Sequence, residues 1–409
     1  MEIATIAREN RRAVWNRSRI AIHGALMLLI SPSTAIHAQV TSRQQALGYP
    51  NQSNPLDENA SDLSSQRDAD AELQTGTALT RKGSFREAIP HLLAARKRVA
   101  NEYMANFNLA LCYVGTSQFK LAIEVLNELG RTGHDGVDVE NLLAQAYVGD
   151  AQPEKALASL QKAATLSPQN EKLYVFVADA CMDHKDYTLG IKVVDIGLQN
   201  LPQSARLHYE RAMFLTQLDL PDQAKPEFEF ARKVAPESEI GHLAAAQQAL
   251  IAGEIPSAVR FAREALKLGF ENPALFTVLG EALIRSGVSP GQPEFEEAQV
   301  ALEKATTRRP NDSASQISLG SLYLAAGRFE DAIVHLKTAR QLQHDNPSVY
   351  ANLAKAFQRQ GDLQSAQEAL ATLEKLNRDQ ADRISSAPGD RKMGYASRAA
   401  TEEKIPQPH

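Results

Sequence analysis

Small and large apolar residues recur along the chain with a period of 34 residues. A first series of small residues keeps this spacing, shifts once by six residues, and then resumes it. Its members are Ala88, Ala122, Ala156, Gly190, Ala224, Ala258, Ala298, Ala332 and Ala366. A second series lies twelve residues earlier and a third seven residues later, and both are mostly alanine and glycine. Because two helices approach closely only where the side chains between them are small, the three series predict nine repeated helix crossings.

Large apolar residues occupy the spacings of three and four around these small ones. Tyr113, Tyr147 and Tyr323 follow the second series by three residues, and Leu92, Leu126 and Leu160 follow the first by four. These spacings place the residues on one face of an amphipathic helix. Turn residues separate the helical stretches, with glycine inside a unit and proline at its end. The sequence therefore predicts consecutive helix–turn–helix units of 34 residues.

This combination of period, small residues and closing prolines resembles the tetratricopeptide repeat family. The resemblance covers residues 69–378. It implies an all-α fold, a right-handed superhelical solenoid of nine helix–turn–helix repeats with disordered ends. The chain departs from the family pattern at Ala100 and His134, where proline is usual. The seventh repeat also carries six extra residues near 288–293, which we expect to bulge out as an exposed loop.

Both ends of the chain differ from the repeats. Residues 1–38 combine five arginines with a short apolar run from Ile20 to Ile30, which is typical of an export signal peptide. We therefore expect an exported protein, periplasmic or secreted, with no membrane span in the mature chain. An uncleaved segment that anchors the chain in the inner membrane is the alternative. Polar residues 39–68 predict a disordered linker, and residues 379–409 a disordered tail.

Charge and composition narrow the class of partner. The chain carries a net charge of −5, and removing the arginine-rich residues 1–38 makes the rest more acidic. No basic footprint for nucleic acid is present. Aromatic residues make up only 6% of the chain, so the core must be filled mainly by alanine and leucine. We expect a protein or peptide partner and no nucleic acid.

No catalytic, cofactor-binding or metal-binding constellation is recognisable in the sequence, which predicts that the chain is not an enzyme. The histidines show no spacing typical of zinc ligands, and no glycine-rich phosphate loop occurs. Cys181 and His184 are three residues apart, but Cys181 occupies the core position that Tyr147 holds one repeat earlier. Cys112 and Cys181 lie two repeats apart, too far for a disulfide, and are expected to be buried free thiols.

The resemblance places partner binding on the concave face, which the first helix of each repeat lines. Candidate residues of this groove are Phe107, Leu111, Phe176, Asp179, Tyr209, Met213, Leu250 and Glu281. An apolar groove dotted with acids suits an amphipathic or extended peptide with a few basic residues. Periodicity alone does not separate groove-facing side chains from ones that pack between repeats.

The function expected from these observations is a non-catalytic protein–protein interaction scaffold or adaptor in the cell envelope. It would bind a peptide or protein segment in the concave groove. The alternative is a helical accessory domain of a polysaccharide-export or envelope-modifying system. Sugar sites usually show clustered exposed aromatic rings, and the predicted groove has few, which favours the first reading.

Overall fold

The structure is a computed structural model that describes residues 55–386. Within this range 18 helices follow one another, and the described chain contains no strand. The helices divide into two compact units, unit 1 ending at Pro236 and unit 2 beginning at Glu237. Consecutive helices pack as antiparallel pairs, so each unit is a stack of helix–turn–helix repeats: five pairs in unit 1 and four in unit 2. The all-α repeat architecture is confirmed.

Unit 1 contains the helices α1 (Pro55–Lys82), α2 (Phe85–Ala95), α3 (Glu102–Gly115), α4 (Phe119–Arg131), α5 (Val137–Gly149), α6 (Pro153–Leu166), α7 (Glu171–Asp183), α8 (Tyr187–Asn200), α9 (Ala205–Gln217) and α10 (Pro221–Val234). Unit 2 contains α11 (Glu239–Ile251), α12 (Ile255–Lys267), α13 (Pro273–Arg285), α14 (Pro293–Arg308), α15 (Ser313–Ala325), α16 (Phe329–Leu342), α17 (Pro347–Gln360) and α18 (Leu363–Ser386). Odd-numbered helices are the first helices of their pairs, and even-numbered ones the second.

The small residues lie at the helix crossings, as their spacing predicts. Ala88, Ala122 and Ala156 are fully buried, each on the second helix of its pair. Gly76 faces Leu92 so closely that a Cβ atom on the glycine would come within 2.7 Å of the leucine Cγ. No larger residue fits there unless the Leu92 side chain or its helix moves. The sequence period therefore fixes where each pair of helices touches.

The turn inside every pair places one residue in the left-handed region of backbone conformation. In the first pair and in all pairs of unit 2 this residue is glycine: Gly83, Gly253, Gly287, Gly327 and Gly361, with φ between +74° and +88°. In the other four pairs it is Ser117, Ala151, Lys185 or Asp219, with φ between +54° and +60°. The geometry of the repeat imposes this conformation whether or not glycine is present.

A recurring hydrogen bond fastens successive pairs. A side chain in the first turn of a first helix donates to the carbonyl oxygen six residues earlier, just after the preceding second helix. We call it the joint hydrogen bond. It forms from Tyr174 Oη to Pro168 (2.9 Å), from His208 Nε2 to Pro202 (3.2 Å), from Gln316 Nε2 to Pro310 (2.9 Å) and from Tyr350 Oη to His344 (2.7 Å). The accepting residue lies two positions beyond the end of the helix, so its carbonyl has no intrahelical partner and the bond ties the connection to the next first helix.

The seven residues between α13 and α14 contain the insertion. Val288 is half-buried and the other six are exposed, and both helices keep their register, so the expected bulging loop forms. Pro293 is not part of this loop, because it begins α14. A proline fits the first helical position because the amide it lacks has no partner there.

The helical region is longer at both ends than the repeat boundaries 69–378. Helix α1 begins at Pro55, within the predicted linker 39–68, and α18 continues to Ser386. Residues 1–54 and 387–409, which include the predicted signal peptide, lie outside the described residues. Among the described helices, none has the length and apolar character that crossing a bilayer requires.

Candidate functional site

The predicted groove residues all lie on first helices, but they divide between the two units. Phe107 and Leu111 are on α3, Phe176 and Asp179 on α7, and Tyr209 and Met213 on α9, all in unit 1. Leu250 on α11 and Glu281 on α13 belong to unit 2. The candidates therefore belong to two first-helix faces, one in each unit.

In unit 1, the candidate positions on α3 are part of the packed interior. Phe107 is 4% exposed and Leu111 is 8% exposed. The Phe107 ring stacks on Tyr103 at a centroid distance of 5.7 Å, which removes its face from contact with a partner. Phe107 and Leu111 therefore stabilise the packing of the repeats.

The corresponding face of α5 is also closed, and polar side chains help to close it. Asn141 Nδ2 donates to the carbonyl oxygen of Leu173 at 2.8 Å, and Gln145 Nε2 donates to Asn141 Oδ1 at 2.9 Å. Asn141 and Gln145 are both buried. The bond to Leu173 links α5 to α7, so these amides join neighbouring first helices.

Further along unit 1 the same face is open. Phe176, Asp179 and Met213 are half-buried, and so is Met182 one turn after Asp179. Asp183 is exposed. Tyr209 differs from these residues, because it is 6% exposed and its ring meets Phe228 of α10 edge-on at 5.9 Å. Tyr209 therefore forms part of the floor beneath the accessible side chains of α7 and α9.

An ion pair lies beside this open face. Arg206 Nη2 is 2.7 Å from Glu210 Oε1, one helical turn away on α9, and the Glu210 side chain is 8% exposed. The charge of Glu210 raises the pKa of the Arg206 guanidinium, and the charge of Asp179 adds to the effect. This pair is costly to break from the side of Arg206, because Glu210 alone would be left buried and uncompensated.

In unit 2, the two candidates differ. Leu250 is 2% exposed, and its carbonyl oxygen accepts a hydrogen bond from Arg285 Nη1 at 3.2 Å. Glu281 is half-buried and pairs with Arg285 at 2.5 Å. The accessible apolar side chains on the first helices here are aliphatic: Ile251, Ile284, Ile317 and Leu324. This face combines aliphatic side chains with a neutralised ion pair.

Sequence reasoning missed the polar side chains that shape these faces. Arg206 and Glu210 are four residues apart, a spacing typical of a helical ion pair, and this signal was available. Asn141 and Gln145 have the same spacing. Their burial depends on how α5 packs against α7, which no local pattern reports.

The remaining chemistry of the described residues gives no reactive centre. Burial raises the pKa of the Cys112 thiol to about 11 and raises that of Cys181 as well, so both thiols stay protonated. Both are buried free cysteines, as expected. The His184 ring packs edge-on against Phe119 at 5.1 Å. Among the described residues, no cluster of histidine, cysteine and acidic side chains has the arrangement of a metal site.

Comparison with known proteins agrees with this architecture. Models described as tetratricopeptide repeat match residues 73–134, 141–170 and 347–380, and one described as TPR repeat matches residues 320–361. These matches identify tetratricopeptide repeats within both units of the chain. Repeats of this class present binding surfaces for proteins and peptides, so the chain has the architecture of a protein-interaction scaffold.

Among solved structures, the chain is similar to a tetratricopeptide repeat protein from Parabacteroides merdae, with 16% identity and a TM-score of 0.44. That match covers 62% of this chain and 98% of the other. It is also similar to a TPR protein from Thermus thermophilus, with 23% identity over 47% of this chain and 98% of the other, and a TM-score of 0.35. No curated protein matches the sequence.

Proposed function

We propose that this chain is a non-catalytic scaffold of the cell envelope that binds a peptide or protein segment on the first-helix face of unit 1. The binding residues in this proposal are Phe176, Asp179 and Met213. The supporting observation is the contrast along this face. Leu111 on α3 and Gln145 on α5 are buried, whereas Asp179 on α7 and Met213 on α9, which hold the same position in the repeat, are partly open to solvent.

The aromatic content of this face favours a protein partner over a glycan. Phe107 and Tyr209 are buried, which leaves Phe176 as the partly accessible ring among the predicted groove residues. A single half-buried ring offers little stacking surface to a sugar. Methionine and acidic side chains suit an apolar peptide segment with basic residues.

Site-specific photo-crosslinking in cells tests the binding face. A photoreactive residue at Met213 should give a discrete protein adduct. The same residue at Leu166, which is 58% exposed at the end of the second helix α6, should not. Equal labelling at the two positions, or an adduct at Leu166 alone, would contradict a role for this face.

The proposed envelope location is tested separately. The full chain should be released by osmotic shock, and removing residues 1–38 should retain it in the cytoplasm. An uncleaved N-terminal anchor predicts that the full chain instead fractionates with the membranes. Retention of the full chain in the cytoplasm would contradict both locations.

A further inference from the structure

The first-helix face of unit 2 changes its charge from one helix to the next. On α13, Glu281 and Arg285 lie four residues apart and form an ion pair, so their charges cancel. Helix α15 contains no charged residue. On α17 the only charged residues are Lys355 and Arg359, and both are exposed. At α17, the last of the described first helices, this face therefore carries two cations.

The two cations stand where α13 has an acid and an arginine. Once the six inserted residues are counted, Lys355 holds the repeat position of Glu281, and Arg359 holds that of Arg285. Residues four apart on a helix have Cβ atoms about 5–6 Å apart, and like charges at this spacing destabilise the helix. Neither cation forms an ion pair with another described residue. A bound anion would remove the repulsion between them.

Polar side chains beside the two cations are also unoccupied. Ser318 and Ser321 on α15 and Asn352 on α17 are half-buried, and none of these side chains hydrogen bonds to another described residue. Ser321 holds on α15 the position that Lys355 holds on α17, and helices α15 and α17 contact each other. Hydroxyl and amide groups donate hydrogen bonds to carboxylate and main-chain oxygens. The two helices together present hydrogen-bond donors and positive charge without a carboxylate.

We propose that the face formed by α15 and α17 binds an acidic peptide segment, with Lys355 and Arg359 holding two of its carboxylates. The planar guanidinium of arginine matches the two oxygens of a carboxylate, and the lysine ammonium adds a compact positive charge. Ile317 and Leu324 lie on the same stripe of α15 as Ser321 and are half-buried, so they offer apolar contact to side chains between the acids. This inference concerns unit 2 and does not rest on the function proposed for unit 1.

The overall charge of the chain makes a preference for acidic peptides informative. The chain carries a net charge of −5, so its long-range field does not attract an acidic peptide. Tighter binding of an acidic peptide than of a neutral one therefore reports a local cationic site.

Fluorescence anisotropy of labelled peptides with the full chain tests the proposal. Three peptides of equal length are compared: one with glutamates between leucines, one with glutamine in place of each glutamate, and one with lysine there. We expect the acidic peptide to bind about fivefold or more tightly than its glutamine counterpart, because two exposed ion pairs of modest strength act together. Raising the salt from about 50 to about 300 mM should reduce this difference, because surface charge attraction is screened. Equal binding of these two peptides would contradict the proposal.

Single substitutions locate the binding. Lys355→Glu reproduces on α17 the acid and arginine that α13 carries, so it should abolish the preference for the acidic peptide and slightly raise the melting temperature. Lys355→Arg should retain the preference. Lys375→Glu makes the same change of charge at an exposed residue of the second helix α18 and should leave binding unchanged. Circular dichroism of each variant checks that its helix content is retained.

Further outcomes would overturn the proposal. Equal weakening by Lys355→Glu and Lys375→Glu would show that the total charge of the chain, not this face, controls binding. Loss of the acidic peptide in Met213→Ala would place it on unit 1 instead. Displacement of the acidic peptide by a single-stranded oligonucleotide that itself binds more tightly would assign the cations to nucleic acid. Absence of acidic-peptide binding would also overturn the proposal and would leave the function proposed for unit 1 untouched.

Discussion

The two units differ in the residue that occupies the left-handed position of the turn inside each helix pair. Each of the nine pairs needs one residue with positive φ between its helices. Unit 2 uses glycine at all four positions, whereas unit 1 uses glycine once and serine, alanine, lysine and aspartate at the others. A side chain in the left-handed region costs roughly 1–2 kcal/mol. Unit 1 therefore carries backbone strain that unit 2 avoids, and packing between its helices must offset this strain.

This difference shows how far the turn residue determines the backbone conformation of the turn. The four non-glycine turns adopt the same left-handed region as the glycine turns, at slightly smaller φ, so the helix pairs on either side impose this conformation. Glycine lowers the cost of the conformation but does not create it. The buried helix crossings should therefore outweigh the turns in stability, and this order can be measured.

The largest expected effect is at a crossing. Ala156 is fully buried on α6, so Ala156→Leu should lower the free energy of unfolding by about 1–3 kcal/mol through overpacking. Ala158, two residues further on the same helix, is exposed, and Ala158→Leu should change stability by less than about 0.5 kcal/mol. Urea unfolding of both variants measures the difference. Equal losses would show that the crossing is assigned to the wrong residue.

The second-largest effect on stability is expected at the turns. Gly327→Ala in unit 2 places a Cβ atom at φ +74° and should cost about 1 kcal/mol. The reciprocal change in unit 1, Ala151→Gly, relieves the strain at φ +54°. The gain in stability from Ala151→Gly should be smaller than the loss from Gly327→Ala. Glycine also makes the unfolded chain more flexible, which costs roughly 0.5–1 kcal/mol of stability. Destabilisation by Ala151→Gly as large as that by Gly327→Ala would mean that the unit 1 turns are not strained.

Acid should affect the units in different ranges of pH. In three pairs a residue of the first helix bonds to one nineteen positions later: Glu72 with His91, His208 with Glu227, and Gln316 with His335. Burial lowers the pKa of His335 below its ordinary value of 6.5. The folded state therefore favours the neutral ring, so the stability of unit 2 is full above pH 6.5 and falls as the unfolded chain gains the proton below it.

In unit 1 the corresponding group is a carboxylate. Burial opposes ionisation of Glu227, but hydrogen bonding from His208 and the charge of Arg211 outweigh it and lower the pKa below the ordinary 4.5. The contribution of Glu227 is thus present above pH 4.5 and is lost as the pH falls further. Hydrogen exchange at pH 7, 5.5 and 4 should show α16 losing protection before α10.

Two substitutions check these assignments. His335→Gln should remove the loss of hydrogen-exchange protection in α16 between pH 7 and 5.5. Glu227→Gln should remove the loss of protection in α10 below pH 4.5. Each variant serves as the control for the other, because the two residues lie in different units. Loss of protection at α16 in His335→Gln as large as in the unaltered chain would contradict the role of this histidine.

The smallest effect concerns the insertion in unit 2. Removing Ser289 to Gln292 would shorten the connection between α13 and α14 from seven residues to the three found between α15 and α16. Loop closure changes by about 0.6 kcal/mol per doubling of length, so the variant should be slightly more stable. A fall in melting temperature of several degrees would show that the loop contributes contacts to the array.

The fold could be predicted from the sequence because every repeat places a small residue at the same position. A single alanine says little, but nine small residues in one register identify a buried crossing. The turns show the limit of this signal, since nothing in Ser117 or Lys185 by itself indicates a left-handed backbone. The repeat register reveals these positions, and residue identity does not.

The candidate site could be predicted less completely from the sequence. Phe107, Leu250 and Tyr209 fit a groove pattern as well as Phe176 does, yet the first three are buried and Phe176 is half-open. Exposure there depends on how closely neighbouring first helices pack, a tertiary property that periodicity does not encode. Leu336 and Leu370 show the same limit. They occupy equivalent positions, but Leu336 is fully buried while Leu370, on the last described helix, is 38% exposed.

The joint hydrogen bond determines how the stack would respond to mechanical load. Tyrosine, histidine and glutamine all supply it, so each joint they hold must be broken separately when the chain is pulled. At the joint before α5, the equivalent residue is Glu140, whose carboxylate instead pairs with Lys162 of α6 at 3.2 Å. Asn106, the equivalent residue at the joint before α3, makes no such bond either, so unit 1 has weak links ahead of α3 and α5. Under tension its terminal pairs should detach there first, while the later pairs stay folded and continue to bear the force.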